Sequence, residues 1–179
     1  MRITAYEVDP RDDDAFLAAC GSRGGALLRA LREDADFRFV ELGGVEAVAD
    51  LPWRAHAGDY EVAREDGTAD VAGGVLLINP FEVPPEADER FLAGWDRARA
   101  VLARQRGYLG TRLHRSAGPA DFRFVNVARW SSPLMFSRAL ARPEFADAAQ
   151  AIPFASHPAL YLALAEVASR YRGPSDGSG

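Results

Sequence analysis

The sequence predicts an α+β fold: two tandem ferredoxin-like β-α-β-β-α-β repeats that close on each other as an intrachain, pseudo-dimeric α+β barrel. Three internal matches carry this reading. Tyr6-Glu7-Val8-Asp9-Pro10 through Phe16-Leu17-Ala18 reappears 75 residues later as Phe81-Glu82-Val83-Pro84-Pro85 through Phe91-Leu92-Ala93. Ala35-Asp36-Phe37-Arg38-Phe39-Val40 recurs unchanged 85 residues later as Ala120-Asp121-Phe122-Arg123-Phe124-Val125. Leu51-Pro52-Trp53, His56 and Tyr60 are answered 101 residues later by Ile152-Pro153-Phe154, His157 and Tyr161. Matches in one order read as a tandem duplication, and the widening offset places insertions in the second copy or deletions in the first.

In the second copy, Val75 to Val83 is rich in apolar and β-branched residues and is stopped by Pro84-Pro85, which predicts a strand. Phe91, Trp95, Ala98 and Leu102 recur at helical spacing, with Gly107 where a helix would stop. Gly110 to Arg115 and Phe122 to Trp130 read as strands joined by the turn residues Ser116-Ala117-Gly118-Pro119. Ser132-Pro133 opens a second helix, which Pro143 kinks or divides near Arg142, and Leu160 to Val167 supplies a last strand.

The first copy follows the same order in shorter form. Arg2 to Val8 and Tyr60 to Arg64 read as strands, Asp13 to Cys20 as a helix and Ala26 to Leu42 as a hairpin, while Val45 to Pro52 leaves room for a turn or two of second helix. Glu65 to Gly73 has linker composition, so the repeats are drawn at 1–68 and 75–170, with 69–74 between them and a polar tail, expected to be disordered, at 171–179. Each half exposes a sheet face its own helices do not cover, and the other half is the natural cover.

Composition excludes several classes. A formal charge of −5 and the absence of a basic cluster argue against a nucleic-acid partner. Thr4 and Glu7 interrupt the amino-terminal apolar run, and no stretch reaches membrane-spanning length, so a cytoplasmic protein without a membrane partner is expected. A single cysteine, Cys20, rules out an internal disulfide and reads as buried filler. His56, His114 and His157 form no local ligand pair, no glycine-rich phosphate loop follows a strand, and no serine nucleophile elbow is present, so no metal or cofactor is expected.

The candidate chemistry lies in the second copy. Phe122, Phe124, Asn126, Ala128 and Trp130 fall on one face of a predicted strand, and an asparagine in that aromatic row costs about 1–3 kcal/mol if buried unpaired. It is held either by an internal hydrogen bond or in readiness for a carbonyl or phenolate oxygen on a flat ligand beside Trp130. Asn79 is the polar member of a row with Leu77, Phe81 and Val83, and is a second candidate amide. His114 is a candidate general base whose face, pocket or solvent, the turn sequence leaves open. Phe91, Trp95 and Phe136 sit on helix stripes as pocket wall or core. His56 and His157, in matching proline-rich loops, point to a shared structural role.

The stretch Gly107-Tyr108-Leu109-Gly110, then His114, then Phe124-Val125-Asn126-Val127-Ala128-Arg129-Trp130-Ser131-Ser132, then Phe136, resembles the antibiotic biosynthesis monooxygenase family of dimeric α+β barrel proteins. The resemblance covers about Val75 to Val167. It implies oxidation of an anthrone-like or naphthacenone-like aromatic polyketide to a quinone by dioxygen as co-substrate, without metal, haem or flavin. Asn126 and Trp130 match family positions implicated in that chemistry, His114 matches a pocket histidine and Asn79 a first-strand asparagine, so these four are the expected catalytic residues; Phe81, Phe91, Trp95, Phe122, Phe124 and Phe136, from the aromatic row and helix stripes, are the expected substrate contacts. Phe136 departs from the tyrosine of some such oxygenases. Arg29, Glu41 and Val45 replace His114, Asn126 and Trp130 in the first copy, which implies one working site per chain. Haem-degrading relatives carry a tryptophan and a histidine where this chain has about Ala139 and Ala149, which argues against haem. A polyketide cyclase and a non-catalytic ligand-binding protein are the alternatives in the same barrel, and a homodimer of such chains is compatible with either.

Overall fold

The computed structural model describes residues 1–20, 25–44, 51–67 and 73–164. In the first half, β1 (Arg2–Glu7), α1 (Asp13–Cys20), β2 (Ala26–Ala30), β3 (Phe39–Leu42) and β4 (Arg54–Gly67) follow one another. In the second come β5 (Val75–Glu82), α2 (Asp88–Leu102), β6 (Tyr108–Ser116), β7 (Phe124–Trp130), α3 (Pro133–Leu140), α4 (Pro143–Ala149), the two-residue β8 (Ala155–Ser156) and β9 (Ala159–Ala163). The strands pair antiparallel in the order β7-β6-β4-β1-β3-β2-β9-β5, and β5 returns to β7, closing an eight-stranded barrel. Within the halves the orders are β4-β1-β3-β2 and β9-β5-β7-β6, and the seams β4–β6 and β2–β9 join corresponding edges about a pseudo-twofold axis.

The inward residues of both sheets, among them Ile3, Leu28, Val40, Ile78 and Val125, fill the barrel. The outward faces carry the helices. Phe37 and Phe122, from the exact hexapeptide repeat, meet edge to face at 5.4 Å at one end of the barrel. Tyr60 donates its hydroxyl to the Phe122 carbonyl at 3.0 Å, and Tyr161 does the same to Phe37 at 2.8 Å. The matching histidines cross the interface: His56 lies 2.6 Å from Asp121 and 2.7 Å from Glu7, and His157 lies 2.7 Å from Asp36 and 2.9 Å from Glu82. Each imidazole thus bridges a carboxylate of its own half and one of the other, tying the halves together.

Several expectations shift by a few residues for visible reasons. Strand β4 runs from Arg54 to Gly67 rather than from Tyr60 to Arg64, so Glu65 to Gly67 belong to the sheet and not to a linker. Its outer residues are charged and are held by Arg115–Glu61 at 2.6 Å and Arg112–Glu65 at 3.0 Å across the seam. The predicted second helix is divided as Pro143 requires, and α3 is capped by Ser132, whose hydroxyl accepts from the Met135 amide. The expected short helix of the first copy, most of the 69–74 linker, the strand end beyond Leu164 and the tail at 171–179 lie outside the described residues.

Candidate functional site

Outside the barrel wall, under α2, α3 and α4, the second half encloses a cavity of about 260 Å³. Its floor is the outward face of the sheet: Asn79 of β5, Thr111 of β6, and Asn126, Ala128 and Trp130 of β7. Trp95, Phe136, Leu140 and Phe145 form its helical wall. Register builds the floor. Leu77 stands opposite Ala128, Asn79 opposite Asn126 and Phe81 opposite Phe124, so alternate residues of β5 and β7 face the helices together.

The two amides are the polar centre of a mostly apolar chamber. Asn126 is buried, and its Oδ1 accepts a 2.6 Å hydrogen bond from the Thr111 hydroxyl. Asn79 Oδ1 and Trp130 Nε1 are buried with no hydrogen-bond partner among the described residues. Buried polar atoms without partners cost free energy, and two of them on residues lining one cavity mark a place where a ligand completes the bonding. Trp130 is fully buried and packs edge to face with Tyr108 at 5.4 Å and Phe136 at 5.3 Å. Burial, aided by the charge of Asp66, pushes the Tyr108 hydroxyl well above its ordinary pKa and keeps it neutral.

Two close approaches shape the chamber. Gly94 of α2 lies against the turn that follows α4, where an added Cβ would stand 2.5 Å from the Ala151 carbonyl oxygen. Gly107, at φ +87°, turns the chain out of the helix into β6, where a Cβ would meet Ser131 Oγ at 2.6 Å.

Of the residues expected here, Asn126, Asn79, Trp130, Phe81, Trp95 and Phe136 line the cavity. His114 does not. It stands opposite Val125 on the barrel side of the sheet, the other face from Thr111 and Leu113, and burial lowers its pKa so that it stays neutral. Phe122 precedes β7, where strand alternation no longer holds, and packs inside the barrel. Phe91 and Phe124 stack at 4.4 Å in the core beside the cavity without lining it.

Tyr108, Thr111, Arg99 and the α4 residues Phe145 and Ala149 were not read as site residues from the sequence. Tyr108 reaches the cavity through a register shift between Tyr108 and Gly110, which puts an extra residue in β6 and turns Tyr108 to the same side as Thr111. Gly110 was the only local sign of it. Arg99 pairs with Asp66 of β4, so the first half supplies the counter-ion for a residue of this wall.

A family model described as antibiotic biosynthesis monooxygenase matches residues 74–151. Among solved structures, a cofactor-independent oxygenase from Streptomyces nogalater, SnoaB, is 34% identical over 50% of this chain and 91% of its own, with a TM-score of 0.46. A putative monooxygenase from Shewanella loihica PV-4 is 37% identical over 49% of this chain and 90% of its own, with a TM-score of 0.42. A ferredoxin-fold protein from Listeria monocytogenes, related to antibiotic biosynthesis monooxygenases, is 15% identical but covers 90% of this chain and 93% of its own at a TM-score of 0.52, sharing the two-half fold. No curated protein matches.

Proposed function

The chain belongs to the antibiotic biosynthesis monooxygenase family, and on that premise we propose that the cavity of its second half oxidises an electron-rich aromatic polyketide of the anthrone or phenol type to a quinone, with dioxygen and without metal, haem or flavin. One observation carries the reading: Asn79 and Asn126 stand directly opposite each other on the floor of an otherwise apolar chamber walled by aromatic rings. That arrangement suits a flat apolar ligand with an oxygen at its edge. The likeness to SnoaB, described as a cofactor-independent oxygenase, supports the class of chemistry.

In the proposed reaction the bound anthrone loses a proton to water, and hydrogen bonds from the amides stabilise the enolate oxygen. The carbanion passes one electron to dioxygen, the radical and superoxide combine, and the resulting hydroperoxide loses water. The balance is one CH₂ and one O₂ converted to one C=O and one H₂O. Trp130, Phe136 and Trp95 keep bulk solvent from the intermediate. His114 has no part in this, because it lies on the far face of the sheet.

The test is oxygen consumption by metal-free protein given an anthrone in air, beside Asn126→Ala and Trp130→Phe. Uptake with quinone formation in the parent and a fall in both variants is the expected result. Binding without uptake would instead favour a cyclase or a binding protein.

A further inference from the structure

We propose that Thr111 is a positioning residue that fixes which end of the Asn126 amide meets the substrate; the inference rests on the reading of the cavity as an enolate-binding site. Asn126 can present either a carbonyl oxygen or an NH₂ group, and only the second stabilises an enolate. With no constraint the two differ by a half-turn about the last side-chain bond. The Thr111 hydroxyl removes that freedom. It lies 2.6 Å from Asn126 Oδ1, within the range of a strong O–H···O bond, while the other acceptor in reach, the Val127 carbonyl, is at 3.3 Å. The shorter bond takes the single hydroxyl proton, occupies Oδ1, and leaves the Nδ2 hydrogens to donate to a ligand.

Thr111 is 2% exposed and lines the cavity, so no bulk water competes for this bond. Its place follows from the sheet: it stands opposite Ala128, with Leu113 opposite Asn126, so the hydroxyl approaches the amide diagonally from β6. Among the described residues, Asn79, the neighbouring amide across the other edge of β7, has no such tether, and its Oδ1 lacks a partner. The floor thus holds one amide of set polarity beside one of open polarity.

The test compares Thr111→Val, which keeps the branched shape without the hydroxyl, with Thr111→Ser, which keeps the hydroxyl, each alone and with Asn126→Ala. On anthrone oxidation, Thr111→Val is expected to lower kcat about tenfold at nearly constant KM, roughly what one lost hydrogen bond is worth. Thr111→Ser should restore it to within a few-fold. In the Asn126→Ala background, Thr111→Val should add no further loss. An unchanged kcat, or an equal loss in both backgrounds, overturns the proposal.

A second measurement needs no turnover. In ¹⁵N-labelled protein, the Asn126 side-chain NH₂ pair, assigned by its disappearance in Asn126→Ala, should be single in the parent and in Thr111→Ser. It should broaden or double in Thr111→Val. A single sharp pair in Thr111→Val refutes the tether even if the parent consumes no oxygen, so failure of the oxygenase reading and failure of this one are told apart.

Discussion

The two halves of the chain share a core and differ in the space above it. Phe16 stacks on Phe39 at 4.4 Å in the first half as Phe91 stacks on Phe124 at 4.4 Å in the second. Tyr6 meets Phe16 edge-on at 5.0 Å, and Phe81 meets Phe91 at 4.9 Å. Arg38 reaches Asp13, and Arg123 reaches Asp88, at 2.6 Å in both cases. The packing of helix on sheet is therefore one solution used twice.

Beyond it the halves part. Among the described residues the helix above the second sheet is 15 residues long, against 8 in the first, and α3 and α4 roof the cavity. Where Asn126 lies on the cavity floor, the hexapeptide register puts Glu41, buried, near the Tyr6 hydroxyl at 3.4 Å. Its carboxylate fills the space a side chain at Gly44 would need and lies where a Cβ on Gly25 would come within 2.9 Å. A repeated core thus sets the fold, and in the second half α2, α3 and α4 with the Asn126 floor build a chamber on it.

The comparison can be broken most strongly at the shared core. Phe91→Ala and Phe16→Ala should each cost about 3–5 kcal/mol in denaturant unfolding. A large loss for one and a small loss for the other would mean that the halves are not energetically alike. The next effect is on function alone: Asn126→Ala should cut oxygen uptake by about 10²–10³, whereas Glu41→Gln should leave turnover within about twofold. Equal losses would place chemistry in both halves.

Smaller again is the pair of buffered arginines. Arg38→Met and Arg123→Met should each destabilise by about 1–3 kcal/mol, because each leaves a largely buried aspartate with only a looser arginine contact, Arg29 at 3.7 Å from Asp13 or Arg115 at 3.9 Å from Asp88. Arg38, at 7% exposure, should lie at the upper end.

The smallest effect is on pH. Burial resists charging the His157 ring, but hydrogen bonds to Asp36 and Glu82 outweigh it and hold the folded pKa above the ordinary 6.5. Its contribution is therefore complete below that value and is lost as pH rises through the raised one. Since both carboxylates are largely exposed, the loss should stay below about 1 kcal/mol, and His157→Ala should flatten the pH profile of stability on the alkaline side.

The repeat made the fold legible, because three ordered matches specify element order, and uncovered sheet faces demand that the halves meet. Period-two alternation along β7 put Asn126 and Trp130 on one shared face, and the structure turns that face to the helices. The same rule failed for Phe122, since the chain bends just before the strand; Tyr108 lay outside the strand read from the sequence, and a bulge near Gly110 turns it to the helix side. His114 was undecided for want of the hairpin register. Strand β4 was read too short because charge pairing across the seam, rather than apolar alternation, stabilises its second part. Thr111 had no sequence signal, as its role depends on a neighbour in another strand.

The seams also govern how the chain assembles as it is made. The first half leaves the ribosome with both sheet edges, β2 and β4, lacking neighbours, and these are supplied by β9 and β6 of the half still to come. An open edge is a template for pairing with another chain. Synthesis must pass residue 163 before β9 can cover β2. Until then the β2 edge has no partner strand, and a pause or truncation before that point would leave it open to pair with a neighbouring chain on the same messenger.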